Sequence, residues 1–280
     1  MKIGIIGYGF VGKSIYEHYK HLVDIKVYDI KPNQITVSSI DDLLDERIIF
    51  ICLPTPMKKT GECDISIIKS VLENLNSRRI DRKLNIVIKS TIPPGTTNQF
   101  IKMYQNLEIC FNPEFLTEAN FIEDFKNQDR IILGTNNKEY FKKLKSLYRM
   151  GFTNTQIIHT NPTEAEMVKY VSNVFLAVKV SFANEIFGIC NSLDINYETV
   201  INIAKIDKRL GESHWQVPGP DGKKGFGGSC FPKDINALIY FCKDRKVLYN
   251  TIEASWNTNL SVRPEEDWKL LIGRAISESE

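Results

Sequence analysis

One cysteine stands in an unusual setting, the run Gly225-Phe226-Gly227-Gly228-Ser229-Cys230-Phe231-Pro232-Lys233-Asp234. Glycines ahead of it let a ligand approach the backbone closely. A thiol at or near a helix start, with Lys233 beside it, is biased towards thiolate, and a thiolate there is a nucleophile. The competing reading is a small buried hydrophobe, the commoner state of a lone cysteine. Lys169 and Asn173 are four apart and share a helix face. Together they are either an oxyanion-stabilising cation and amide or a surface lysine beside an ordinary polar residue. Asn112-Pro113-Glu114-Phe115-Leu116-Thr117-Glu118 supplies two carboxylates after a β-rich run, with Glu114 either a base or a solvated acid.

These groups need elements to position them. Gly7-Tyr8-Gly9-Phe10-Val11-Gly12 follows a strand-like run and opens a helical pattern. This is the G-x-G-x-x-G fingerprint in its required context: one glycine for the turn, one for approach to a pyrophosphate, one for helix–strand packing. Asp29 ends the next β run about twenty residues on, where an acid pairs with ribose hydroxyls and repels a 2′-phosphate, favouring NAD over NADP. Further β runs are expected at 48–53, 85–89, 108–111, 130–133 and 155–159. Alternation of such runs with helical stretches predicts an α/β, Rossmann-type parallel sheet domain over residues 1–158. Two run ends, Leu53-Pro54-Thr55-Pro56 and Ser90-Thr91-Ile92-Pro93-Pro94-Gly95, carry turn chemistry where such sheets bind ligands.

Near Thr160 the character changes. Asn161-Pro162-Thr163, followed by Glu164 and Glu166, reads as a helix start with acids at the positive dipole end. A long helix over 163–193, apolar on more than one face, predicts burial on several sides, by a dimer partner or within one subunit. Residues 159–280 are therefore read as an all-helical dimerisation domain around one long central helix. Two shorter helices are expected at about 233–243 and 251–259, and the tail from Val262 is weakly periodic.

Net charge is +2 from 36 basic and 34 acidic residues spread along the chain, which offers no argument for nucleic acid or a membrane surface. Lys142, Lys143 and Lys145 read as a solvated helix face. Six cysteines without a C-x-x-C pair suggest neither a zinc ribbon nor a redox motif, and no metal is expected. No secretory signal and no stretch approaching membrane-spanning length is read, so the expected compartment is the cytoplasm, with reduced thiols.

Taken together, the segments resemble the UDP-glucose/GDP-mannose dehydrogenase family. The resemblance rests on GYGFVG (7–12), LPTP (53–56), KSTIPPGTT (89–97), NPEFLTE (112–118), DRIILGT (129–135), the Lys169/Asn173 pair, DKRLG (207–211) and GFGGSCFPKD (225–234), in the family's order. It implies oxidation of a nucleotide sugar, UDP-glucose first among candidates, with two NAD per turnover and a thiohemiacetal and thioester on Cys230. By the same resemblance Lys169 and Asn173 steady oxyanions, Asp234 helps activate water or accept protons, and Glu114 is the base for thioester hydrolysis. Thr91 positions water or nicotinamide. Gly7, Tyr8, Gly9, Phe10, Val11, Gly12, Asp29, Lys31, Thr55, Thr91, Glu118 and Lys233 resemble cofactor contacts. Glu114, Phe115, Leu116, Lys169, Asn173, Arg209 and Gly227 resemble substrate contacts, Arg209 reaching a partner's site in a homodimer. Departures are Gln34 where a basic residue is common (Lys31 is a substitute), Thr117 and Ala119 in place of arginine and glycine, and an end near where the family's third domain begins. The alternatives are GDP-mannose or a UDP-N-acetylhexosamine as substrate, or an inactive NAD-binding regulator.

Overall fold

Isoleucine-rich runs build the first half of the chain. Ile48-Ile49-Phe50-Ile51 is apolar and buried at every position, as befits a strand covered on both faces. The computed structural model describes residues 1–31, 36–78 and 81–278. Strands β1 (Lys2–Ile6), β2 (Asp24–Tyr28), β3 (Ile48–Ile51), β4 (Leu84–Ile88), β5 (Leu107–Phe111), β6 (Arg130–Gly134) and β7 (Gln156–Thr160) form one sheet in the order β2-β1-β3-β4-β5-β6-β7. Between them run α1 (Phe10–Tyr19), α2 (Ser66–Asn76), α3 (Thr96–Met103), α4 (Phe121–Lys126) and α5 (Lys138–Gly151).

Successive strand residues point to opposite faces, and the two cores separate accordingly. Ile48, Phe50, Val87 and Cys110 pack with Ile15 and Tyr19 of α1 and Leu144 and Leu147 of α5. Ile49, Ile51, Ile86, Ile88 and Ile109 pack with Ile68 and Leu72 of α2 and Phe100 of α3. The order turns back between β1 and β3, and the crevice beyond the strand ends at such a point is the ligand position of open α/β sheets.

The expectation of a parallel sheet holds for every described pairing but one. β5 meets β6 antiparallel, with Phe111 opposite Gly134. The connection between them, residues 112–129, holds the 6-residue helix α4.

The chain divides into two compact units, Met1–Thr55 with Ile65–Lys169 and Pro56–Asp64 with Tyr170–Glu280. The sequence placed a boundary at 158/159, where strand periodicity ends. The first unit instead keeps the opening turns of α6 (Pro162–Ser192), because Ala165 and Val168 pack into the second core of the sheet. Glu164 and Glu166 were both expected to serve the dipole of their own helix. Glu164 does, accepting from the Asn161 amide and the Thr160 hydroxyl. Glu166 instead accepts from the amides of Gly95 (2.5 Å) and Thr97 (2.7 Å) at the start of α3. Burial pushes its carboxyl up to about 7 against the pull of those amides.

The second unit is built from the rest of α6, α7 (Tyr197–Ala204), α8 (Cys230–Arg245) and α9 (Asn250–Val262). Ala183 and Cys190 of α6 pack with Tyr197, Ile201, Trp215 and Val217. The weakly periodic tail is pinned by the excursion at 56–64: the Met57 amide donates to Ala275 O, and the Ser277 amide to Met57 O, both at 2.8 Å.

Contrary to the sequence expectation, one helix among the described residues, Pro162–Ser192, is long and apolar enough to span a membrane by length and composition, with a window of mean hydropathy 1.4. Its apolarity has a use within the chain. Val174, Ala177 and Ala183 are buried, and its polar side chains are tied to backbone, Ser181 Oγ donating to Ser255 O at 2.7 Å and Lys179 Nζ to Leu210 O at 2.8 Å.

Candidate active site

In the first unit the glycine loop closes β1 onto α1. Gly7 adopts φ +94°, and a Cβ there would lie 2.5 Å from the Cys52 carbonyl oxygen at the end of β3. A Cβ on Gly12 would fall on the carbonyl of Gly7, which is the close helix–strand approach read from the fingerprint. Gly9 differs, because a Cβ there would meet nothing within 4 Å. It is the N-cap of α1 and provides no side-chain cap, so the helix start has open space above it and amides to offer an anion. Asp29 stands beside this loop, accepting from the Tyr8 amide (2.6 Å) and the Lys31 amide (2.8 Å). An amide-lined helix start with a carboxylate next to it fits NAD: pyrophosphate on the amides, ribose hydroxyls on Asp29. Lys31 and Phe10 are exposed and Thr55 and Thr91 buried. Glu118 is half-buried after β5, and Gln34 lies outside the described residues.

The segment after β5 forms a buried ion-pair site in the same unit. Lys169 Nζ donates to Glu114 Oε1 at 3.0 Å and to the Glu114 carbonyl at 2.6 Å. The Leu116 amide donates to Glu114 Oε2 at 2.7 Å, and Phe115 lies 5.5 Å from the Lys169 ammonium. Burial alone would raise the Glu114 carboxyl, but Lys169, the Leu116 amide and Lys89 outweigh it and hold the group below the usual carboxylate range. Glu114 is thus ionised at neutral pH, as a base must be.

Lys89, which the sequence reading placed at the end of a β run without a role, is buried and donates to Asn112 Oδ1 at 2.8 Å. Tyr148 donates to the same oxygen, and Asn112 Nδ2 donates to Ile132 O at 2.8 Å. The start of the Asn112–Glu118 segment is therefore fixed on three sides. Burial pulls the Lys89 ammonium down to about 8, with Lys169 adding to the effect and Cys52 and Glu114 opposing it.

In the second unit Cys230 is the first residue of α8, behind Ser229, which forms no side-chain cap. The helix begins earlier than the expected Lys233, because Pro232 falls in the first turn, where its missing N–H costs nothing. Asp234 is buried between two donors: Lys233 Nζ reaches Oδ1 at 2.5 Å, and Asn173 Nδ2 reaches Oδ2 at 2.6 Å. Burial opposes the charge of Lys233, yet Asp234 and the thiols of Cys230 and Cys63 outweigh it and hold the ammonium firmly protonated. Cys230, Lys233, Asp234 and Asn173 are thus brought together, while Lys169 is tied to Glu114.

Arg209 is not among them. Its side chain is 88 % exposed and pairs with Asp207. Gly227 packs against Arg263, whose guanidinium a Cβ at that position would overlap. Arg263 and Asn259 escaped the sequence reading: Asn259 was only the last residue of an expected helix, and Arg263 fell in the weakly periodic tail. A C-terminal arginine after an apolar turn was the available signal.

The fold and these groups define a class: a Rossmann-type sheet domain with the glycine loop and acid of a dinucleotide site, followed in the chain by a helical unit with a thiol at a helix head. Comparison with known proteins agrees. The model of the UDP-glucose/GDP-mannose dehydrogenase family's NAD-binding domain matches residues 34–151, and that of its central domain matches 163–261. The chain belongs to this family. It is 36 % identical over 225 residues to UDP-glucose 6-dehydrogenase of Rickettsia bellii, covering 78 % of this chain and 50 % of that protein. It is 34 % identical over 243 residues to UDP-glucose 6-dehydrogenase TuaD of Bacillus subtilis, covering 82 % and 51 %. The solved structure of a UDP-glucose dehydrogenase from Pyrobaculum islandicum superposes with TM-score 0.82 at 26 % identity, covering 93 % of this chain and 68 % of that one. The chain thus spans about half the length of the curated relatives named here.

Proposed function

We propose that this protein oxidises a nucleotide sugar to the uronate, UDP-glucose to UDP-glucuronate, through a thioester on Cys230. The observation that carries the reading is the thiol at the head of α8 beside the Lys233–Asp234–Asn173 cluster, in a chain that also holds the family's NAD-binding domain. NAD, held at the glycine loop by the amides of the α1 start and by Asp29, would supply the hydride acceptor for each of two oxidations. Cys230 Sγ adds to the aldehyde carbon formed in the first, and the oxygen gains a proton, giving a thiohemiacetal. Loss of the remaining carbon-bound hydrogen as hydride, with the hydroxyl proton passing to a base, turns this into a thioester. Water activated by Glu114 then attacks the carbonyl, the C–S bond breaks, the thiol regains its proton and the carboxylate leaves. Lys169 and Asn173 steady the negative oxygens, and Asp234 accepts a proton or orients water. Thr91 positions water or nicotinamide, Phe115, Leu116 and Gly227 contact the sugar nucleotide, and Arg209 reaches the site of a partner subunit.

The test is NADH formation from UDP-glucose, GDP-mannose and UDP-N-acetylhexosamines by the purified chain. Two NADH per UDP-glucose is expected. Turnover only with another sugar would keep the chemistry and replace the substrate. Cofactor binding without NADH from any of them would overturn the activity.

The same reading includes a homodimer. On α6, Val171, Phe175, Phe182 and Ile189 stand at helical spacing and are exposed, Phe175 by 64 % and Phe182 by 51 %. An apolar stripe on an otherwise packed helix marks a protein interface. Sedimentation should give twice the 32.1 kDa chain mass. A stable monomer at micromolar concentration would remove the dimer. Six free thiols fit a reducing compartment, and the cytoplasm is the proposed location.

A further inference from the structure

The loop that delivers Cys230 to α8 is moulded on the last turns of α9. Asn259 is fully buried and uses its whole amide on this loop: Oδ1 accepts from the Phe226 amide at 2.7 Å, and Nδ2 donates to the Phe226 carbonyl at 3.0 Å. One turn on, Arg263 is 2 % exposed. Its guanidinium reaches Asp221 (2.6 Å), Asp267 (2.7 Å) and the Lys224 carbonyl (3.3 Å). Burial opposes its charge and the two carboxylates outweigh it, so it stays protonated. The glycines answer to these side chains. A Cβ on Gly227 would overlap the Arg263 guanidinium, and one on Gly225, at φ +67°, would press on Asn259 Oδ1. Gly228, at φ +69°, makes the last bend before Ser229 and Cys230.

A buried arginine with two carboxylates is a costly way to add stability, because desolvation consumes much of the attraction. What it secures is a single backbone path. We infer that Asn259 and Arg263 are positioning residues for Cys230: by clamping the backbone of Gly225–Gly228 they hold the thiol at the first position of α8. The inference rests on Cys230 being the reactive thiol of the proposed function. Its test reads thiol chemistry rather than turnover, so absence of NADH formation would sink the activity and leave this comparison intact.

The experiment is alkylation of the full chain by iodoacetamide across neutral and mildly alkaline pH, each cysteine followed by peptide mass. The single variants are Arg263→Lys, Arg263→Ala and Gly227→Ala, with the pair Gly227→Ala/Arg263→Ala. In each single variant the midpoint of the Cys230 pH–rate profile should rise by about one unit, slowing alkylation at neutral pH about tenfold. Cys190 and Cys242, buried in the same unit, should stay unlabelled. The pair should show less than the summed defect, since losing the guanidinium gives the new methyl room. An unchanged Cys230 profile in all the single variants would overturn the inference. So would Cys190 and Cys242 becoming reactive in step with Cys230, which would mean general loosening of the unit. If the Arg263 variants do not fold, Gly227→Ala decides alone.

Discussion

Cys230→Ala should lower NADH formation from the nucleotide sugar by about 10³-fold or more, because the second oxidation loses its covalent route. The first oxidation needs only a base and a bound cofactor. The second needs a tetrahedral carbon that still bears a hydrogen, and the thiol creates one by adding to the aldehyde. Without sulfur the aldehyde must hydrate or escape. The residual product should therefore be enriched in aldehyde, with nearer one NADH per sugar than two. Mass spectrometry of the product beside the NADH count checks both. Carboxylate formed at close to the unaltered rate would exclude the thioester route. The buried cysteines offer no substitute: burial pushes the Cys52 thiol up to about 12 and that of Cys110 higher still.

Lys169→Met should destabilise the first unit by about 3–5 kcal/mol at neutral pH, the cost of leaving a buried carboxylate without its partner. The pair is buried, with Lys169 3 % and Glu114 12 % exposed in their side chains. The dependence on pH should change sign. In the unaltered chain the Glu114 carboxyl lies below its ordinary value. Its contribution is present above the usual carboxylate range and is lost as pH falls through the folded value. In Lys169→Met burial is opposed only by the Leu116 amide and the weaker field of Lys89. The folded value then rises, and stability falls as pH rises through it. Urea midpoints at mildly acidic and neutral pH should show the gap between the two proteins widening with pH. A gap that stays constant would mean that the pair contributes nothing through charge.

Much of this was legible in the sequence because it depends on local pattern. The glycine fingerprint needs only a strand before it, a helix after it and an acid at Asp29. Cys230 at a helix head needs only the glycines and Pro232. What escaped depends on partners distant in sequence. Glu166 looks like a dipole acid on its own helix, and nothing local says that Gly95 and Thr97 will take it. The antiparallel junction of β5 and β6 is a long-range pairing, and the alternation of the two runs is the same whichever way they meet. Arg263 and Asp221 are 42 residues apart and stand in segments that look like solvated loop. Lys89 at the end of a β run gives no hint that it is buried on Asn112.

The excursion at 56–64 bears on how this gene could be taken apart. It leaves the first unit and returns, so the second unit is discontinuous in sequence. A single splice at Lys169/Tyr170 would strand Met57 on one fragment and its backbone partners Ala275 and Ser277 on the other. Recombination that exchanges the helical half between relatives must therefore carry two separate stretches of chain, or pair one parent's tail with the other parent's excursion.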